Sequence, residues 1–418
     1  METVVISALI VFIITYLLIA VNRTPWFEIK RPYVALIGAV AMLIIGALSF
    51  NEAFDYIDYK VLVLLLGMMA LVAGLEYAGL FTLISDRLLR FSGSGSRLLL
   101  VLMLSSAFLS AIALNDAVVL MFTPIVIGCC RKMRVNPVPY LVGLMVSANI
   151  GSIATSVGNP QNAYIVSRFD IDFITYSSYS LPISVLCLAV AYVTLLAIYR
   201  GSLMETFDIS ECEDESRPVN RPILTIMLII LIVTFTGFIL TGFMDIELYQ
   251  VAIAAGIVSS IVVISTSPKE TVWLAGRIDW NILLFFIGLF VLIGGASQSG
   301  LISEFASRIP GFGEGEVPDV MSLSIFTVIL SNLVSNVPAV MLISEMLPSA
   351  DLMLCIVLAA SSTLAGNTTL LGSAANIIVA ERSERYGVKI HFFRFMFVGV
   401  AVTIATMAVM LIFIGLVL

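Results

Sequence analysis

Ser147-Ala-Asn149-Ile-Gly-Ser-Ile-Ala-Thr155-Ser-Val-Gly158-Asn-Pro-Gln-Asn162 lies within an apolar run, and its pattern returns 214 residues later as Ser361-Ser-Thr363-Leu-Ala-Gly-Asn367-Thr-Thr369-Leu-Leu-Gly372-Ser-Ala-Ala-Asn376. Upstream of a loop that is seven residues shorter in the second copy, the offset is 221: Asp58 falls on Asp279, Gly67 on Gly288, Gly74 on Gly295, Ser110 on Ser331 and Asn115 on Asn336. These matches sit at Gly and polar positions inside apolar sequence, where chance coincidence of Leu and Val cannot make them. The chain is an internal repeat, and each copy holds one apolar segment broken by a Gly-x-x-x-Asn motif.

The surrounding composition sets the environment. Of 418 residues 60% are apolar and 12% charged, against about a quarter charged in soluble domains. Net charge is -7, with no basic run or basic-aromatic interleaving, so nucleic acid is not an expected partner; the lipid bilayer is. Five cysteines lack metal-ligand spacing and read as small hydrophobes, Cys129-Cys130 included, and His391 is the single histidine. A Ser-His pair, two intramembrane aspartates or an H-E-x-x-H zinc motif would be needed for intramembrane proteolysis; none is present, and no enzyme activity is expected. No cofactor is expected beyond a coupling ion, Na⁺ or H⁺.

A hydrocarbon core of about 30 Å needs about 20 helical residues. Apolar runs of that kind begin near Thr3, Tyr33, Val61, Tyr140, Leu181, Pro222, Leu248, Asn281, Leu352 and Phe392. Two further regions, 97–131 and 320–348, are interrupted mid-way by polar residues, leaving arms of about ten to seventeen residues that read as re-entrant hairpins. The expected fold is an all-α polytopic membrane protein with about ten transmembrane helices plus two re-entrant hairpins. Residues 1–200 form the first repeat: three spans, hairpin 97–131, broken span 140–167 and span 181–199. A cytoplasmic acidic linker covers 201–221. Residues 222–418 form the second repeat: three spans, hairpin 320–348, broken span 352–380 and span 392–417. Five crossings per repeat is odd, so the repeats have inverted topology. Threading puts eighteen Lys and Arg on one side and only Lys60, Arg168 and Arg308 on the other. The positive-inside rule then makes the first side cytoplasmic and both termini extracytoplasmic, in the plasma or inner membrane.

Inverted repeats with discontinuous helices build transport sites at the bilayer midplane. Four interruptions should meet there: Leu114-Asn115-Asp116 and Ser335-Asn336-Val337-Pro338 at the hairpin tips, 158–162 and 372–376 in the broken spans. Asn159-Pro160 has the N-cap and first-turn signature of a helix start, with Ser373 the equivalent cap. Half-helix N-termini at the centre favour an anion. Asn115, Asp116, Asn159, Gln161, Asn162, Asn336, Ser373 and Asn376 are the expected substrate-binding residues. The stretches 147–157 and 361–371 are expected to be unwound, and Asp116, Asn115, Asn149, Ser335, Asn336, Thr363 and Thr368 offer hard oxygens for Na⁺, or a carboxylate for H⁺. Asp116 reads as the one acidic residue at mid-membrane, its repeat mate being Val337; a carboxylate there is costly and by default functional, with helix capping as the plain alternative. Glu76, Glu345, Asp279 and Glu381 read as interfacial.

With these residues in place, the sequence resembles the ion transporter superfamily, which includes arsenite permeases, divalent anion/sodium symporters and certain sodium/proton antiporters. Ser110-Ala-Ile-Ala-Leu-Asn115-Asp116-Ala-Val-Val-Leu-Met-Phe-Thr-Pro124 is similar to the first hairpin of arsenite permeases, and the two stretches ending in Asn162 and Asn376 to that group's broken spans. The resemblance implies a secondary active, ion-coupled permease working by alternating access on a small inorganic anion or metalloid such as arsenite or antimonite. A sodium/proton antiporter and a sodium-coupled carboxylate or sulfate symporter are the alternatives, and a homodimer is the candidate assembly. Dicarboxylate symporters carry Ser-Asn-Thr at both tips; here both threonines are missing, and the carboxylate of Asp116 replaces one.

Overall fold

The structure, a computed structural model, describes residues 2–21, 30–84, 94–203, 219–266, 269–309, 311–312, 318–347 and 351–417. Most of the acidic linker lies outside the described residues, as does Cys212. The first repeat supplies α1 (Glu2–Val21), α2 (Arg31–Ile44), α3 (Phe50–Tyr56), α4 (Tyr59–Tyr77), α5 (Gly95–Ile112), α6 (Asn115–Lys132), α7 (Val138–Ser152), α8 (Pro160–Arg168) and α9 (Phe173–Ile198). The second supplies α10 (Arg221–Leu240), α11 (Leu248–Thr266), α12 (Glu270–Ala275), α13 (Trp280–Gln298), α14 (Val320–Val334), α15 (Asn336–Met346), α16 (Leu352–Ala365), α17 (Ala374–Arg385) and α18 (Phe392–Val417). Among the described residues seven helices are long and apolar enough to cross a membrane by themselves: α4, α5, α9, α10, α11, α13 and α18. Shorter apolar helices fill the remaining runs.

The repeats interlock. α4 packs along α11 and, reciprocally, α13 along α2, so the fourth helix of each repeat lies on the second helix of the other. Glycine permits the approach: a Cβ on Gly67 would stand 2.3 Å from the carbonyl oxygen of Ala252, and one on Gly288 would stand 2.7 Å from the carbonyl carbon of Ala35. Small residues at such crossings let backbones meet, which is how helices associate where lipid is as apolar as leucine. α6 packs on α17 and α8 on α15, again in reciprocal fashion, and α9 meets α18 across the pseudo-two-fold. Ion pairs tie helix ends within each face: Glu76 to Arg277 at 2.7 Å on one, Arg168 to Glu345 at 3.3 Å and Lys60 to Glu247 at 2.5 Å on the other.

Three expectations need correction. The unwound stretches are shorter than 147–157 and 361–371: α7 continues to Ser152 and α16 to Ala365, leaving breaks at 153–159 and 366–373. Hydroxyls in this region bond back to their own helix, Ser147 to the Gly143 carbonyl at 2.7 Å and Thr363 to that of Ala359 at 2.8 Å, so polarity here does not unwind the backbone. The last span of the first repeat starts at Phe173, not near Leu181. Its polar first turns face the break in the neighbouring helix, where Tyr176 Oη, Ser180 Oγ and Ser184 Oγ donate to the carbonyls of Ile153, Ala154 and Ile150 at 3.3, 3.2 and 2.8 Å. The arms of the first hairpin, α5 and α6, have 18 residues each, longer than the seventeen expected, whereas α14 and α15 have 15 and 11. The short helices α3 and α12 were hidden in expected loops; Ser49 and Glu52 form a capping box that starts α3.

Candidate functional site

Both breaks and both hairpin tips end on one cavity of about 190 Å³. Asn115 and Asp116 reach it from the start of α6, Pro160 and Gln161 from α8, Ser335, Asn336 and Val337 from the second tip, and Ser373 and Ala374 from α17. Four helix N-termini therefore converge, each with amides that its own helix cannot satisfy. The volume is that of about six water molecules at ~30 Å³ each. It suits a small solute.

Behind this lining lies a buried amide network that crosses between the repeats. Asn149 is 1% exposed and uses its whole amide. Its Nδ2 donates to Asn367 Oδ1 at 2.9 Å and Asn376 Oδ1 at 3.2 Å, while its Oδ1 accepts from Asn115 Nδ2 at 3.2 Å and Ser373 Oγ at 3.0 Å. Thr363, at the position equivalent to Asn149, accepts from Asn159 Nδ2 and Gln161 Nε2 of the other repeat, both at 3.3 Å. Each broken span is thus pinned by the residue that precedes the other's break.

Asn162 and Asn376 stand outside the cavity lining and hold the breaks shut. Asn162 Nδ2 donates to the carbonyls of Ser152 and Thr155 at 2.9 and 3.2 Å, and Asn376 Nδ2 to the equivalent carbonyls of Gly366 and Thr369 at 2.7 and 3.0 Å. Backbone that leaves a helix inside a membrane needs such donors. Asn159 caps α8 through the Asn162 amide at 2.8 Å. Ser373 occupies the matching position without a side-chain cap, because its hydroxyl is drawn to Asn149. Thr368 faces α18, donating to Thr403 Oγ1 at 3.2 Å.

Asp116 is half-buried and stands where the central cavity meets a second one of about 120 Å³, lined also by Glu76, Arg277 and Asp279. Glu76 and Asp279, read from the sequence as interfacial, are thus neighbours of Asp116; the N-terminus of α13 comes in beside α6 and brings Asp279 with it. The pseudo-symmetric counterpart on the opposite face is wider, about 510 Å³, with Asp58, Arg168, Phe290, Met341 and Glu345 among its lining residues. Sequence reasoning missed Arg31 and Asn281, both on the central cavity. Arg31 opens α2 and had been counted with the charges that end spans, from which nothing in the local sequence distinguishes it.

A cavity built from broken helices of two inverted repeats is the architecture of a membrane transporter. Residues 9–351 match the citrate transporter family, and the chain belongs to it. It is 28% identical over 424 residues, 96% of each chain, to a 46 kDa membrane protein of Mycobacterium leprae. It is 27% identical, over 91% of each chain, to the silicon efflux transporter LSI3 of Oryza sativa subsp. japonica. The crystal structure of the Alcanivorax borkumensis YdaH transporter, described by its authors as having an unusual topology, has the same fold: TM-score 0.60 over 99% of this chain and 98% of that one, at 13% identity.

Proposed function

We propose that the chain is a cation-coupled permease for a small inorganic hydroxide or oxyanion, arsenite and antimonite being the class, with Na⁺ or H⁺ coupled through Asp116. The observation that carries this reading is the central cavity, where four helix N-termini, the amides of Asn115, Gln161 and Asn336 and a single carboxylate surround space for a few heavy atoms. Amides and hydroxyls both donate and accept, which suits a solute made of O–H groups. The rice relative is named for silicon, and dissolved silicon in neutral water is an uncharged hydroxide. The family description favours a second reading, citrate, a larger trianion that would have to face Asp116. Proteoliposome uptake of arsenite, silicic acid, sulfate, phosphate and citrate, under imposed Na⁺ or pH gradients, tests this. Concentrative uptake of citrate alone would overturn the hydroxide reading, and Na⁺-driven collapse of a pH gradient with no solute would favour the antiporter.

The proposed orientation places both termini outside and the acidic linker in the cytoplasm, resting on the charge count. A cysteine substituted into 205–215 should resist an impermeant maleimide in intact cells, and labelling there would reverse the orientation.

A further inference from the structure

The central cavity departs from internal symmetry at two charged positions. Packing fixes the register: Gly67 lies on Ala252 as Gly288 lies on Ala35, and Gly74 on Ser259 as Gly295 on Met42. Both pairs give an offset of 217 between α2 and α11, so Arg31 corresponds to Leu248. Asp116 corresponds to Val337. The first repeat thus brings a guanidinium and a carboxylate to the central cavity; of their aliphatic counterparts in the second, Val337 lines that cavity too and Leu248 lines a separate one.

These two charges act on each other electrostatically, and Arg31 Nε is buried without a hydrogen-bond partner. Of the other charges around Asp116, Glu76 has an ion-pair partner, while Asp279 caps a helix and still acts on Asp116 as a second carboxylate. Glu76 is paired with Arg277 at 2.7 Å, and Asp279 accepts from the amides of Asn281 and Ile282 at 3.0 and 3.3 Å as the cap of α13.

We infer that Arg31 is the anion-binding residue of the transport site and, when no solute is bound, the counter-cation of Asp116. The inference rests on the reading of Asp116 as the coupling carboxylate and adds the charge rule of the site. A guanidinium cannot shed its charge, and an unpaired buried charge is costly. A cation taken up alone at Asp116 leaves Arg31 uncompensated, so that form does not reorient. A monovalent oxyanion arriving at Arg31 restores neutrality, and by linkage each ion favours the other's binding. A weakly acidic hydroxide meets the same rule as its monoanion, after releasing one proton. The site therefore accepts one monoanion with one monovalent cation and refuses either ion alone.

The test is cation flux through the reconstituted full chain with no solute present, read with radioactive Na⁺ and with a pH-sensitive dye. Wild type should be tight. Arg31→Gln makes the cation-loaded, empty site neutral and should leak about 5- to 150-fold faster, the span of ordinary coupling free energies. Arg31→Lys should be as tight as wild type, and Arg31→Gln/Asp116→Asn should close the leak. Should Arg31→Gln fail to purify as a single species, Arg31→Ala gives the same readout, with guanidinium ion in the buffer suppressing its leak. A tight Arg31→Gln, a double variant that leaks like the single, or a leak in Arg31→Ala indifferent to guanidinium would overturn the inference. Asp116→Asn that retains full gradient-driven uptake would sink the underlying coupling reading; a tight Arg31→Gln beside an uncoupled Asp116→Asn would sink only the role of Arg31.

Discussion

The two hairpin tips occupy equivalent positions and solve the same steric problem with opposite chemistry. At the first, Leu114 has an ordinary extended backbone (φ -58, ψ 129), the Asn115 amide nitrogen is bonded to Gly158, its side chain is bonded to Asn149, and the next residue is a carboxylate. At the second, Ser335 has φ +80 and ψ 158, the Oδ1 of Asn336 is buried without a donor, and the next residue is Val337. One tip is relaxed and charged; the other is strained, uncharged and keeps an open acceptor. A pseudo-symmetric scaffold has been given two different halves of one site, with the ionic work on the first and a free hydrogen-bonding position on the second.

The sharpest way to break this comparison is to remove its charge. Asp116→Asn should abolish concentrative uptake while leaving solute exchange, because an amide cannot take up a coupling proton and is a weaker Na⁺ ligand. A bare helix cap would tolerate the change, since Asn and Asp cap comparably. Wild-type accumulation by Asp116→Asn at every pH would leave the two tips differing in strain alone. Val337→Asp, which makes the second tip resemble the first, should also impair uptake by placing an uncompensated second carboxylate on the cavity.

The next largest effect should come from the residue that pins the two broken spans. Asn149→Ala leaves amides of Asn115, Asn367 and Asn376 and the Ser373 hydroxyl without their partner. At about 1–3 kcal/mol for each group left unsatisfied, thermal stability in detergent should fall severely. Thr363→Val, which strands only Gln161 because Asn159 Nδ2 keeps Ser152 Oγ at 2.9 Å, should cost about a quarter as much on the same count. Equal losses would mean that the network does not distribute load between the repeats as the bonding implies.

What the sequence revealed, and what it hid, follows from where polar atoms find partners. The repeat was legible because Gly158 and Gly372, Asn162 and Asn376 recur at fixed spacing inside apolar sequence, and the fold requires them at the breaks. The extent of each break was not legible, because Ser147 and Thr363 bond to their own helix and a serine in a string gives no sign of that choice. Ser373 could be read as a cap, but the competing pull of Asn149 comes from the other repeat. Arg31 reads like any basic residue at a span end until α2 is set against α13 and its side chain is seen on the central cavity.

A smaller effect separates the two break glycines. A Cβ on Gly158 would lie 2.4 Å from the Ser152 carbonyl oxygen and 2.9 Å from that of Ser110, backbone atoms that cannot swing aside. On Gly372 the nearest atom is the side-chain Oδ1 of Asn332 at 2.9 Å, with backbone beginning at 3.2 Å. Gly158→Ala should cost about 1–3 kcal/mol, the usual range for overpacking, and Gly372→Ala less, as measured by thermal midpoints. The reverse order would show that the second break is the tighter one.

The smallest expected effect is a gain. Ser335 sits in a backbone region that essentially only glycine occupies, which costs a side-chain-bearing residue about 1–3 kcal/mol. Glycine removes that strain but loses about 0.4–1 kcal/mol through the freedom it adds to the unfolded chain. Ser335→Gly should therefore raise stability by roughly 1 kcal/mol. Leu114→Gly, at an unstrained and 5% exposed position, should move stability the other way. The hydroxyl lost from Ser335 lines the cavity, so Ser335→Gly should weaken cation dependence of uptake even as the protein becomes harder to unfold. Strain kept at one tip would then be the cost of holding an oxygen toward the solute. If both glycine variants lose stability alike, the second tip is not strained, and the difference between the tips reduces to Asp116.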